Sequence, residues 1–358
     1  MKSIFKKVAG IAVTAIFALG MAGCNHNVIK DSYNWYESPV DFFTGKAATA
    51  DSEYVLFGVF PKTVLPLDST VTVDEEDFVE MGADKYYKGS DGKYYAKALE
   101  NAYGTGAQYK YENNVEQVKQ KNADSYRYFK VEPIKWRVLT TTYDIDGEAG
   151  SATGALLLAE DILTANVPYF GSTSSRTIDG KTISPNNYKH SMIRAYLNGI
   201  TYQGLYGEGI KWNGSGFLQT AFTKAAQEKI ATTEVDNRAE TTGYSERTYA
   251  NLFACENTND KIFLLSESEA INSSYGFAAY DSYGEGNARI RIPTDYAKAN
   301  YAYQSPIGDY GGAWWLRSPY YTYEYFAHYV SSDGDANLND YVNRIDAGIV
   351  PALCVSLE

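Results

Sequence analysis

Tyr320 to Asp346 reads YYTYEYFAHYVSSDGDANLNDYVNRID, 27 residues framed by Trp314-Trp315-Leu316-Arg317-Ser318-Pro319 before it and Gly348-Ile349-Val350-Pro351-Ala352-Leu353 after it. The window holds six Tyr, four Asp, three Asn, two Ser and one His, with no Lys, Gln, Met or Trp and a single Glu, Glu324. Those five scarce types make up roughly a fifth of an ordinary chain, so about five would be expected here. Rigid, amphipathic Tyr beside short, adaptable Ser, Asn and Asp is the composition of antibody paratopes, because Tyr adds contact area with little rotamer entropy to lose. The genetic code offers a second reading of the same bias. Replacing the first two adenines of an Asn codon yields Tyr, His, Asp, Ser, Thr, Phe, Leu, Ile or Arg, among others, but never Lys, Glu, Gln, Met or Trp. Glu324 is the one residue this origin leaves unexplained.

With its two flanks, the window resembles the variable region of proteins targeted by diversity-generating retroelements, in particular the variable lipoproteins of that kind known from spirochaetes. The resemblance implies a C-type lectin fold of the formylglycine-generating-enzyme-like subtype, an α+β class, with an exposed C-terminal binding site. An ordinary Tyr-rich and Asn-rich surface is the alternative that the residues leave open. Phe57-Gly58 with Pro61, Pro133 to Leu139, Ile193-Arg194 with Leu197-Asn198, Phe263 to Ser266 and Trp314 to Pro319 also resemble, in that order, a widespread bacterial domain of unknown function. That likeness runs over about residues 53 to 355 and implies one large domain.

Within the window, Ala327, Val330, Asp333, Gly334, Ala336 and Val342 are small or apolar spacers, or a turn, and are expected to be framework. Tyr320, Tyr321, Thr322, Tyr323, Tyr325, Phe326, His328, Tyr329, Asp335, Asn337, Leu338, Asn339, Asp340, Tyr341 and Asn343 are expected to form the displayed, ligand-binding set. Trp314, Trp315, Leu316, Val350 and Leu353 should hold the scaffold beneath. The expected ligand is a protein or a glycan.

The N-terminus predicts the compartment. Lys2, Lys6 and Lys7 precede an apolar run from Val8 to Leu19, which is too short to span a bilayer. Gly20-Met21-Ala22-Gly23-Cys24 resembles a bacterial lipobox, although Met21 stands where Leu is usual. The reading is a lipoprotein signal peptide at 1–23, acylated Cys24, a polar tether at 24–52 and a single C-type-lectin-like domain at 53–358. It implies a bacterial cell envelope location, anchored by lipid and facing the outer surface, with the membrane as one partner. A plain secretory signal is the alternative.

The formal net charge is -12 and no Lys follows Lys298, so a phosphate backbone would be repelled and nucleic-acid binding is not expected. Catalytic equipment is scarce. The histidines are His26, His190 and His328, and no CxxC, GxSxG or complete phosphate loop is present; Gly104-Thr105-Gly106 lacks the rest of one. Cys255 and Cys354 are too far apart in sequence to match the closely spaced cysteine pair of formylglycine-generating enzymes. They can pair with each other or stay free. His190 reads as a capping or surface residue, and Arg317 as the partner of an aromatic face or a buried carboxylate. Asp333, Asp335, Asn337 and Asn339 alternate like calcium ligands, but no bidentate Glu follows at the required spacing. Neither metal nor cofactor is implied. A diversified surface receptor, a fixed-specificity surface lipoprotein or adhesin, and an envelope enzyme are the three functions weighed, with no enzyme the preferred reading.

Periodicity completes the expectation. It predicts a strand at Tyr54 to Pro61 stopped by the proline, an acidic loop at Asp68 to Glu80, and a hairpin at Tyr86 to Lys97. Further strands are expected at Tyr126 to Thr142, Ala155 to Ala159 and Lys261 to Ser266. Helical turns are expected near Asp161 and at Glu267 to Ile271, a short helix at Ser191 to Gly199, and the longest helix at Gly216 to Ala231.

Overall fold

The computed structural model describes residues 54–101, 110–112, 126–147, 150, 152–212, 215–243, 252–284, 286–307 and 310–356. The expected signal peptide, Cys24, the tether, His26 and Gly104 to Gly106 lie outside the described residues. The architecture is α+β and rich in sheet, and among the described residues the helices are short. Its main strands are β1 (Tyr54–Val64), β2 (Val73–Met81), β3 (Asp84–Gly89), β4 (Tyr94–Leu99), β5 (Tyr126–Asp144), β6 (Thr153–Ala159), β7 (Ile262–Phe263), β8 (Trp314–Pro319), β9 (Phe326–Val330), β10 (Leu338–Tyr341) and β11 (Ala352–Ser356). Eight of them form one sheet in the order β7-β11-β6-β5-β4-β3-β2, with β1 paired to β5. The 19-residue β5 organises it: β1 pairs with Phe129 to Arg137, while β4 and β6 pair with its two ends. Leu156, Leu157 and Leu158 of β6 are fully buried, and one apolar cluster joins residues from Val55 to Val355.

Three expectations about strands and loops change. Pro61 does not stop β1, which runs on to Val64 with register shifts on both sides of the Val59 to Pro61 stretch. The strand pairs with β5 alone, so the missing proline N–H falls where no ladder bond is required. A shift between Leu56 and Val59 is made by Gly58, whose φ of +69° and approach to Phe222 exclude a side chain. Second, the acidic segment is not all loop, because Val73 to Met81 forms the outermost strand of the sheet. Asp74, Glu75, Glu76 and Asp77 are exposed along it, and such charges suit an unpartnered edge. Third, the segment near Asp161 is a two-residue strand that pairs in parallel with Ile292–Pro293.

The hairpin at Tyr86 forms as read, with Gly92 at φ +77°. Helix α1 (Met192–Asn198) is capped by Ser191, whose hydroxyl accepts from Arg194 N, and ends at Gly199 in the left-handed region. The expected long helix divides into α2 (Phe217–Ala221) and α3 (Lys224–Lys229). Phe222 between them is extended, which lets its ring pack on Phe57 and Trp136, and Thr223 starts the second helix by capping Ala226 N. Glu267–Ala270 is helical, closed by a capping box between Ser266 and Glu269. Among the described residues no helix is long and apolar enough to cross a membrane.

Candidate functional site

The window lies on a separate three-stranded antiparallel sheet, β8-β9-β10. Its first strand β8, at one edge of this sheet, is buried throughout, with Trp314, Trp315 and Leu316 at 0% exposure. The closing flank ties this small sheet to the large one: Trp315 N donates to Gly348 O at 3.1 Å, and Ala159 N to Pro351 O at 3.0 Å. The expected framework residues Ala327, Val330, Ala336 and Val342 are fully buried, as are Val350 and Leu353. Gly334 is buried at φ +87°, with Asn287 so close that a Cβ would meet it at 2.7 Å. Asp333 is half-buried.

The fifteen residues expected on display divide three ways. Thr322, Tyr323, Tyr341 and Asn343 are exposed. Tyr320, Tyr321, Tyr325, Phe326, Tyr329, Asp335, Asn337, Leu338, Asn339 and Asp340 are half-buried. His328 is a correction: it is 1% exposed, with Nδ1 at 3.6 Å from the buried Glu267 carboxylate and the Tyr320 ring edge-on to it. Strand alternation is the reason, because His328 shares a face with Val330 and points into the molecule.

Six rings form a continuous patch. Tyr323 and Tyr325 stack at 15° with centroids 5.4 Å apart, and Tyr325 and Tyr341 at 17° and 5.8 Å. Phe326 meets both Tyr325 and Tyr341 edge-on at 4.7 Å, and Tyr320 with Tyr321 extends the group at 4.7 Å. Offset stacked and edge-to-face pairs are the arrangements ring quadrupoles favour. Since the near-parallel rings cover one another's faces, they present edges and hydroxyls outward. The hydroxyls of Tyr323, Tyr325 and Tyr341 have no hydrogen-bond partner among the described residues.

A residue far off in sequence shapes this loop. The fully buried Asn186 amide donates to Tyr320 O at 3.4 Å, Tyr323 O at 3.2 Å and Phe326 O at 2.9 Å, and Asn186 N donates to Glu324 O at 3.0 Å. Ser175 Oγ donates to Glu324 Oε2 at 2.8 Å. Glu324 is thus a clasp between the loop and the body. Sequence reading missed Asn186 and Ser175, since Pro185-Asn186-Asn187 signals only a turn.

The other end of the window is held by charge. Arg344 donates to Asp346 at 2.6 and 2.9 Å, pairs with Asp340, and lies over the Tyr329 ring at 5.3 Å. Burial disfavours its charge, but Asp346 and Asp340 outweigh that and raise its pKa above the usual arginine value. Arg289, at 0% exposure, donates to Gly334 O at 2.6 Å, Ala278 O at 2.6 Å, Ala279 O at 3.2 Å and Ser282 O at 2.7 Å. It thereby joins the turn to a neighbouring loop that carries the exposed Tyr283. Of the alternating residues, Asp335 accepts from Asn337 N at 2.8 Å as a local cap, and Asp340, outside that series, accepts from Tyr341 N at 2.7 Å. Asn337 Oδ1 accepts from Tyr280. Among the described residues no group of three His, Cys, Asp or Glu is placed to hold a metal ion.

Residues 153–357 match the family model described as Domain of unknown function (DUF6273), which is more than half of the chain. The chain belongs to the DUF6273 family. No curated protein and no solved structure matches it. The DUF6273 match takes in β6 to β11, the whole window and both flanks, and it leaves β1 to β5 outside.

Within the DUF6273 region, Arg317 is structural. Its guanidinium pairs with Glu269 and donates to Leu264 O at 2.8 Å and Asp236 O at 3.1 Å. Glu269 also accepts from Tyr143 OH and Ser266 N, both at 2.7 Å. Burial raises the Glu269 pKa, but Arg317 and these donors together bring it below the ordinary value. Cys255 and Cys354 are both free, and burial pushes each thiol's pKa up, so neither is primed as a nucleophile. His190 ends a short 3-10 turn whose first cap is Asn187, and burial, then Arg176, Lys189 and Arg194, lower its pKa.

Proposed function

We propose that this chain is a surface-anchored ligand-binding lipoprotein whose C-terminal window, Tyr320 to Asp346, is diversified by adenine-directed mutagenesis to bind varied protein or glycan ligands. The observation that carries the reading is the division of labour inside the window. The residues expected as spacers from their type alone are buried or turn-forming, while four of the displayed set are exposed and ten are half-buried, four of these in the aromatic patch. A site meant to vary needs a backbone fixed by something other than its varying side chains. Asn186 supplies that by holding main-chain carbonyls. On this reading Glu324 belongs to the fixed set through Ser175, which removes its conflict with an Asn-codon origin.

The finer fold assignment, a C-type lectin fold of the formylglycine-generating-enzyme-like subtype, is part of the proposal and rests on the window and its flanks. So do acylation at Cys24 and display at the envelope, which rest on the N-terminal sequence. Two measurements test the whole. Sequencing the DNA around the gene should reveal a near-copy of the window's coding sequence, with adenines where the gene varies, beside a reverse transcriptase gene. Sibling genes with an invariant window would instead make this a fixed-specificity surface lipoprotein. Radiolabelled palmitate should enter the chain, and C24A should abolish it; labelling that survives C24A would remove the anchor from the proposal.

A further inference from the structure

Away from the window, a half-open cleft of about 400 Å³ lies between α1, the strand Arg176–Ile178 and the hairpin formed by Thr201–Gln203 and Gly209–Lys211. That volume falls in the range of small-molecule sites, roughly 300 to 1,000 Å³. Its walls include apolar Ile178 and Ile200, the Tyr202 ring, and the cationic side chains of Lys189 and Arg194 beside His190.

Among the described residues no carboxylate lines the cleft, and those near it have partners. Asp260 is held by Arg194 at 2.8 Å and by Thr258, Glu208 accepts from Tyr206 N at 2.8 Å, and Glu256 pairs with Lys189. Behind the His190 and Tyr202 wall, one cation has no such match. Arg176 is 4% exposed, its guanidinium lies 3.9 Å over the Phe170 ring and 5.9 Å from the Tyr202 centroid, and it donates to His190 O. No carboxylate among the described residues pairs with it, and its Nε and Nη1 have no hydrogen-bond partner. Burial pulls its pKa down to about 10, the mark of a charge whose solvation has not been replaced. The same positive field reaches His190, whose imidazolium is disfavoured by burial and by Arg176, Lys189 and Arg194 together.

We infer that this cleft is a second binding site, for a small molecule bearing a carboxylate or phosphate group, with Lys189 and His190 contacting the oxyanion and Arg176 supplying charge from behind. Lys189 is available because its present partner, Glu256, is a surface residue with a side chain 73% exposed, and such pairs exchange at little cost. The hydrophobic walls would take the body of the ligand.

The test is a titration of the full chain with inorganic phosphate and, separately, acetate, following the His190 imidazole by NMR, with H190Q used to assign the signal. A bound oxyanion stabilises the imidazolium, so the His190 pKa should rise by about one unit at saturation. K189Q should weaken the response about tenfold, the loss expected for one charge-assisted hydrogen bond. R176Q should weaken it similarly, and if that variant fails to fold, K189Q decides alone. Saturation by phosphate only assigns a phosphoryl ligand, and by acetate only a carboxylate. Saturation by both supports the general site. No saturable shift with either anion, or a shift unchanged in K189Q, overturns the inference.

Discussion

The two ends of the window differ in composition, one aromatic and one rich in Asp and Asn, and they differ in what holds them. At the aromatic end, Tyr320 to Phe326, the neutral amide of Asn186 grips three main-chain carbonyls, and Glu324 is the one side chain of this end that joins the clamp, through Ser175. At the polar end, Asp333 to Asp346, Arg289 holds the Gly334 carbonyl from outside and the window's own side chains add the other braces: half-buried Asp335, Asp340 and Arg344 with buried Asp346. Where the clamp is on the main chain, side chains are free to change. Where the side chains are the clamp, most changes loosen it.

The largest expected effect comes from removing the buried hub at the polar end. Arg289→Met should strand several carbonyls at once and cost about 3 to 5 kcal/mol, seen as a shift in the urea midpoint. A loss under about 1 kcal/mol would show that the turn does not depend on it. Next, Asn186→Ala should cost about 2 kcal/mol for the unsatisfied carbonyls, and amide exchange should quicken in 320–326 more than elsewhere. Uniform quickening would mean that Asn186 braces the whole fold and not this loop. Arg344→Ala is expected to cost about 1 kcal/mol, given its partial exposure, and that cost should shrink in high salt, whereas the Asn186 effect should not. Equal salt responses would erase the distinction between the two ends. The smallest change belongs to Tyr323→Ala with Tyr341→Ala. These half-exposed rings should shift the melting temperature by only a few degrees while changing what the surface binds. A loss on the scale of Arg289→Met would make them core residues and end the display reading.

Much of the plan was legible because it is local. Ser191 and Gly199 mark both ends of α1, Ser266 with Glu269 marks the capping box, and Ser90-Asp91-Gly92 marks the hairpin. Ala327, Val330, Ala336 and Val342 were recognisable as framework because small and apolar types among Tyr and Asp have little other use on a strand. His328 was not recognisable as buried. Its neighbour Tyr329 is as polar-tipped, and only the β8-β9-β10 register decides which of the two turns inward. The single helix read over Gly216 to Ala231 failed for a related reason: the apolar spacing fits one helix, but Phe222 is claimed by Phe57 and Trp136 across the core.

From sequence alone came the α+β class, the apolar strands and caps, and the abrupt change of composition at Tyr320. Those depend on nearest-neighbour sterics and burial preference, which act within a few residues. Tertiary structure alone decided that Asn186 and Ser175 clasp a loop more than a hundred residues away, that strand register turns His328 inward beside Glu267, and that Arg176 is buried behind a cleft with no counter-charge among the described residues. The reason is physical: hydrogen bonds and desolvation depend on distances between groups brought together only by packing, and no window of sequence contains both partners.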